Sequence, residues 1–112
     1  MKNGKSKYHS KKVTVDNVTY DSVKEYLRFK ELSLLERAGK IQKLQRQVEY
    51  LLIPSQAIGG KVVERPCKYI ADFVYLEGDT LIVEDCKGFR TPDYIIKRKL
   101  MLKNFGIRIR ET

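Results

Sequence analysis

The chain is short of the residues that several common chemistries require. Among 112 residues there are one histidine, two cysteines and three prolines. A lone histidine, His9, lying in a basic N-terminal stretch, excludes a histidine-based catalytic triad and a histidine-rich zinc site. Cys67 and Cys86 stand far apart with no further ligands beside them, which excludes a disulfide scaffold and points to a reducing compartment. No apolar run approaches the ~18–20 residues of a membrane span, and the lysines at the N-terminus are not followed by the apolar core of a signal peptide. The glycine pair Gly59-Gly60 lacks the Lys-Ser/Thr of a phosphate loop, so nucleotide-driven chemistry and a nucleotide cofactor are not expected. Negative charge is also scarce: 14 acids face 23 Lys and Arg, a formal net charge of +9.

What is present is a basic protein with a hydrophobic content of 42%, ordinary for a folded domain. The length suits one domain. Residues 1–11 read as a flexible basic arm and 12–112 as a single domain. A polyanionic partner is the first expectation from the charge, with nucleic acid ahead of acidic membrane or protein surfaces. The distribution supports it. Residues 1–12 hold five lysines and no acid, and Lys87–Arg110 hold eight basic residues against Asp93 alone. Lys5, Lys7 and Lys11 in the arm, with Lys12 next to it and Arg90 beyond, are therefore candidate phosphate contacts. Tyr8 and Tyr94 are further candidates.

Periodicity gives the elements. Val13–Val15 and Val18–Tyr20 flank Asp16-Asn17, a turn pair suited to a tight hairpin. Asp21 and Ser22 offer a helix N-cap, and Val23, Tyr26, Leu27, Lys30, Leu34, Leu35 and Ala38 predict a helix over 22–38, ended at Gly39. Leu44–Ile53 reads as a strand stopped by Pro54, and 55–66 as a loop or irregular hairpin. Lys68–Leu76 and Leu81–Lys87, around Gly78-Asp79, form the clearest hairpin. Thr91 caps a second helix with Pro92 at its first position, running to Asn104. Ile107–Arg110 is a short final strand. The expected fold class is α/β with a mixed sheet (α+β), in the order helix, three strands, helix, strand, behind a small N-terminal hairpin.

Register then isolates three charged residues. A turn centred on Gly78-Asp79 places Asp72 across from Asp85, on the same face, with Lys87 two residues further along. Glu84 points the other way, opposite Phe73. Facing carboxylates destabilise a sheet unless a cation lies between them, and Mg²⁺ held by one or two carboxylates resolves the conflict. The alternative is a solvated polar face with Lys87 bridging Asp85. Glu25 has two readings as well: Ser22-x-x-Glu25 fits a capping box, and its carboxylate is also a candidate member of the site.

Asp72 on one strand, Asp85-Cys86-Lys87 on the next and Glu25 on a preceding helix resemble the PD-(D/E)xK nuclease superfamily, whose core has the same element order. More narrowly, SVKEYLRFKELSLLERAGKI, YIADFVY, VEDCKGFRTPDY and KRKLMLKNFGI resemble a family of small phage and prophage proteins of unassigned function placed in that superfamily. The resemblance implies that Asp72, Asp85 and Glu25 bind Mg²⁺, with Mn²⁺ able to substitute and the Cys86 carbonyl assisting. It implies that Lys87 positions water and stabilises developing phosphorane charge, and that Lys97 and Arg98 on the second helix contact DNA. Ala71 stands where the motif has proline. The implied activity is Mg²⁺-dependent hydrolysis of DNA in the cytoplasm of a bacterial host. By analogy with other small members, the expected substrate is branched DNA such as a Holliday junction and the expected assembly a homodimer. The rival expectation is a non-catalytic DNA-binding or phage regulatory module on the same fold.

Overall fold

The computed structural model describes residues 11–87 and 89–112. The arm residues Lys5 and Lys7, with Tyr8 and His9, lie outside the described residues. The chain is a mixed α+β fold with two helices and a mixed sheet. Strands β1 (Val13–Val15) and β2 (Val18–Tyr20) form the N-terminal hairpin, with Asp16 and Asn17 at φ 53° and 67° as a type I′ turn requires. Helix α1 (Val23–Arg37) follows, then β3 (Gln42–Ile53), β4 (Gln56–Ile58), β5 (Lys61–Glu64), β6 (Cys67–Glu77), β7 (Thr80–Asp85), α2 (Pro92–Phe105) and β8 (Arg110–Glu111). The main sheet has the order β3-β6-β7-β8, antiparallel except for the parallel β7–β8 pair.

Local chemistry sets the helix ends. Ser22 Oγ accepts from the Glu25 amide at 3.1 Å and Thr91 Oγ1 from the Tyr94 amide at 3.2 Å, the two expected N-caps. α2 closes on Gly106 at φ 68°, a left-handed residue whose amide returns to the Leu102 carbonyl at 2.9 Å. The expected β6–β7 register holds: Glu77 pairs with Thr80 and Phe73 with Glu84.

The irregular hairpin expected over 55–66 is the two-stranded ribbon β4–β5, turning on Gly59-Gly60 with a register shift between Gln56 and Ala57. Strand ends differ from the sequence reading. β7 stops at Asp85, so Lys87 lies past its end. The final strand is Arg110–Glu111 and not Ile107–Arg110. Ile107 and Ile109 pack into the core beside α2 without joining the ladder, so their apolar spacing reports burial and not sheet pairing.

Two cores lie on opposite faces of the sheet. One joins α2 (Tyr94, Met101) to Leu52, Tyr69, Ala71, Val74, Val83 and Ile109. The other joins α1 (Leu32) to Ile41, Phe73, Tyr75 and Ile82. β7 alternates between them in the ordinary way: Ile82 faces α1 and Val83 faces α2. β6 does not. Tyr69 and Ala71 face α2, but Phe73 and Tyr75, of the same parity, face α1. The strand exchanges faces at Asp72.

Candidate active site

That exchange of faces builds the site. In a regular strand, residues two apart share a side. Asp72 sits where the rule breaks, so its carboxylate serves groups belonging to both faces. Toward β7, it accepts the Cys86 amide at 2.9 Å and hydrogen-bonds to Asp85. Toward α1, it meets Glu25 and Asp21, with one carboxylate oxygen of each of the three residues lying within 4.8 Å of the others. Burial, the hydrogen bond to Asp85 and the charge of Asp85 together push the Asp72 carboxyl up to about 8. The Cys86 amide and the Lys87 charge oppose that rise.

Asp85 is 3% exposed. Its Oδ2 accepts from the Tyr69 hydroxyl at 2.6 Å and lies 3.4 Å from Lys87 Nζ. Lys87 Nζ also sits 4.1 Å from the centre of the Tyr94 ring, a cation–π seat that fixes the ammonium beside Asp85. Burial, the charge of Asp85 and its hydrogen bond hold the Tyr69 hydroxyl protonated far above the ordinary phenol range, so it remains a donor.

Glu25 is 2% exposed in the first turn of α1, and its carboxylate bonds one residue before the N-cap amide that a capping box would use. Its Oε1 accepts the Asp21 amide at 2.9 Å, and its Oε2 accepts from Gln47 Nε2 at 3.0 Å. Arg46 Nη2 lies 3.6 Å from the same Oε2. Burial and the nearby Asp72 raise the Glu25 carboxyl above its ordinary value.

Glu84 has a different task. It is wholly buried on the α1 face, where Arg28 grips both of its oxygens (Nη2 to Oε1 at 2.9 Å) and Tyr75 donates to Oε1. Burial alone would raise its carboxyl, but the Arg28 and Tyr75 hydrogen bonds outweigh that and hold it below its usual value. Glu84 therefore braces α1 against the sheet and lies away from Asp85.

The structure thus brings Glu25, Asp72, Asp85 and Lys87 together. It adds Asp21, which the sequence presented only as a capping residue, and the buried Tyr69. The expected DNA contacts fare differently. Lys11 is exposed, and Lys12 forms an exposed pair with Asp21 at 3.3 Å. Arg90 and Arg98 both bind Glu111, at 2.7 and 2.9 Å, and Tyr94 donates to the same carboxylate at 2.7 Å. These bonds draw the Glu111 carboxyl down to about 2. Lys97 lies on α2, half-buried, one turn after Asp93.

All candidate ligands are hard oxygen donors, and the crowding of Asp72 by Glu25 and Asp21 on one side and by Asp85 on the other is the kind that a divalent cation relieves; Mg²⁺ or Mn²⁺ fits this donor set. Among the described residues no helix is long and apolar enough to cross a membrane. In comparisons with known proteins, the DUF1064 family, described as a protein of unknown function, matches residues 5–110. No curated protein and no solved structure matches the chain.

Proposed function

We propose that this chain, which belongs to the DUF1064 family, is a metal-dependent deoxyribonuclease on a PD-(D/E)xK core. One observation carries the reading: Asp72 touches Asp85 on one side and the Glu25 cluster on the other, with Lys87 held against Asp85. Structural needs alone do not call for this. A half-buried acid whose carboxyl is pushed to about 8 by burial and by a second acid weakens the cation-free fold, and such perturbed groups concentrate at functional sites.

Asp72 and Glu25, with Asp85 beside them, would hold Mg²⁺, and Mn²⁺ would substitute. When bound, such an ion supplies Lewis-acid polarisation of the phosphoryl oxygens and acidifies a water molecule. The chain's own groups do the rest. Lys87, fixed between Asp85 and the Tyr94 ring, presents positive charge to the phosphoryl group as negative charge develops on it. Tyr69 holds Asp85 in place. The water oxygen bonds to phosphorus and one P–O ester bond breaks. The products are a phosphomonoester and a hydroxyl, the leaving oxygen taking up a proton.

The basic residues outside the site give the reading a polyanionic substrate. We propose branched DNA, with four-way junctions first, cut by a homodimer so that two sites act on two strands. The test incubates purified protein with linear, flapped and four-way DNA, with and without Mg²⁺. Cleavage that needs Mg²⁺ and disappears in Asp85→Ala and Lys87→Ala is the expected result. Binding without cleavage of any substrate would replace the enzyme with a DNA-binding module.

A further inference from the structure

Opposite Asp72, on the neighbouring strand, stands a residue in a conformation it should avoid. β3 and β6 keep one register on both sides of this point, Arg46 pairing with Phe73 and Val48 with Ala71, which places Gln47 against Asp72. Gln47 has φ 53°, in the left-handed region that disfavours residues with a Cβ. Lys43, at φ 57°, is in the same region, but there the register slips between Gln42 and Gln45 and a bulge explains it. No slip accompanies Gln47.

What accompanies Gln47 is the change of face. Leu44 packs toward α1, and the Arg46 guanidinium lies 4.3 Å from the Tyr20 ring centre on that side. Val48, Tyr50 and Leu52, of the same parity, pack toward α2. β3 therefore rolls over at Gln47 as β6 does at Asp72, and the two strands turn together. At the pivot, Gln47 Nε2 donates to Glu25 Oε2 at 3.0 Å.

We propose that Gln47 is a positioning residue for the acidic site: its left-handed backbone is retained because it turns the side-chain amide onto Glu25 and keeps β3 in step with Asp72. The inference rests on the reading of Glu25 and Asp72 as cation ligands. A residue kept only for folding would be relaxed by glycine without consequence, since glycine adopts positive φ freely. Strain that persists at a ligand-holding position is instead the mark of a site whose geometry it serves.

The experiment compares Gln47→Gly and Gln47→Met with wild type, reading Mn²⁺ affinity by electron paramagnetic resonance, thermal stability in EDTA, and the Mg²⁺ dependence of DNA cleavage. Glycine removes both the strain and the amide; methionine keeps the side-chain length and the strain but removes the donor. Both variants should bind Mn²⁺ roughly 10–100-fold more weakly, as expected when a group orienting a metal ligand is lost. Half-maximal cleavage should need correspondingly more Mg²⁺, with the KM for DNA unchanged. The glycine variant should melt no lower than wild type. Wild-type Mn²⁺ affinity in both variants overturns the inference, as does a glycine variant whose loss of affinity comes with a lower melting temperature. Wild-type protein that binds Mn²⁺ yet cuts no DNA overturns the nuclease reading alone. Wild-type protein that binds no Mn²⁺ overturns the cation site and this inference with it.

Discussion

Replacing Asp72 by asparagine should stabilise the cation-free protein while abolishing cleavage. The Asp72 carboxyl has an ordinary value of 3.8 and is pushed up to about 8 in the fold. That interval spans about four decades of pH, each equivalent to ~1.4 kcal/mol, so the ceiling on its cost is about 6 kcal/mol. Two effects lower it. Asp72 is only half-buried, which lets solvent screen the interaction. Asp85 stays buried beside the new amide, so removing one acid relieves only part of the pair's cost. We expect about 1–3 kcal/mol, or roughly 4–12 °C in melting temperature for a chain of this length. The sign follows from the direction of the shift. A raised carboxyl contributes its full stability below about pH 4, where both states are protonated, and loses it as pH rises toward 8. Asparagine does not titrate and keeps an oxygen for the Cys86 amide. The melting difference, variant minus wild type in EDTA, should therefore be near zero at pH 4, grow to pH 8 and then level off. Glu84 and Glu111 are held below their usual values, so both proteins lose their contributions on acidification and these cancel in the difference. Scanning calorimetry across pH 4–9 reads the curve. A flat or negative difference would refute the argument that the Asp72–Asp85 contact is a conflict awaiting a cation. Added Mg²⁺ should raise the melting temperature of wild type and leave the variant unmoved.

Other parts of the structure give their own tests. Arg28→Met strands the wholly buried Glu84 and should cost about 3–5 kcal/mol in urea unfolding; adding Glu84→Gln should recover most of that, because the remaining group is neutral. Lys87→Ala should lower the cleavage rate by about 100-fold or more, with a stability cost of about 1 kcal/mol or less, since Tyr69 still holds Asp85; turnover and melting measured on one preparation separate the two. Glu111→Gln frees Arg90 and Arg98 from their shared carboxylate, so affinity for DNA should rise and its salt dependence steepen by about one or two phosphate contacts, read by fluorescence anisotropy in a salt titration.

Much of this arrangement was legible because it depends on neighbours in sequence. Ser22, Thr91, Pro92 and Gly106 announce helix ends through local hydrogen bonding and allowed φ. The turn at Gly78-Asp79 sets the β6–β7 register by counting as far as Phe73↔Glu84, one step short of the expected Asp72–Asp85 pair. What escaped depends on distant packing. β8 pairs for two residues with β7, and no two-residue strand has a periodicity to detect. Asp21 reads as a cap because that role is local, whereas its nearness to Asp72 needs the helix to dock on the sheet. Tyr69 has the spacing of a core residue and is one, with only its hydroxyl in the site. A left-handed Gln47 has no signature in sequence, since the residues that tolerate this conformation best are glycine, asparagine and aspartate.

The face exchange also explains why a site forms here and not further along the same hairpin. Glu84 and Asp85 are adjacent on β7 and point to opposite sides of the sheet: Glu84 joins Arg28 of α1, and Asp85 joins Tyr69 and Lys87 on the side of α2. If β6 alternated regularly, Asp72 would belong wholly to one of those sides. Glu25 on α1 and Asp85 would then be separated by the sheet, and each carboxylate would be satisfied on its own face. The roll at Gln47 and Asp72 lets one carboxylate reach Glu25 and Asp85 together. It occurs just beyond Phe73↔Glu84, the last pairing of β6 with β7, where β6 has no ladder to β7 that would enforce alternation. A fold that relaxed Gln47 into an ordinary extended conformation would regain a regular edge strand and lose the meeting point of its acids.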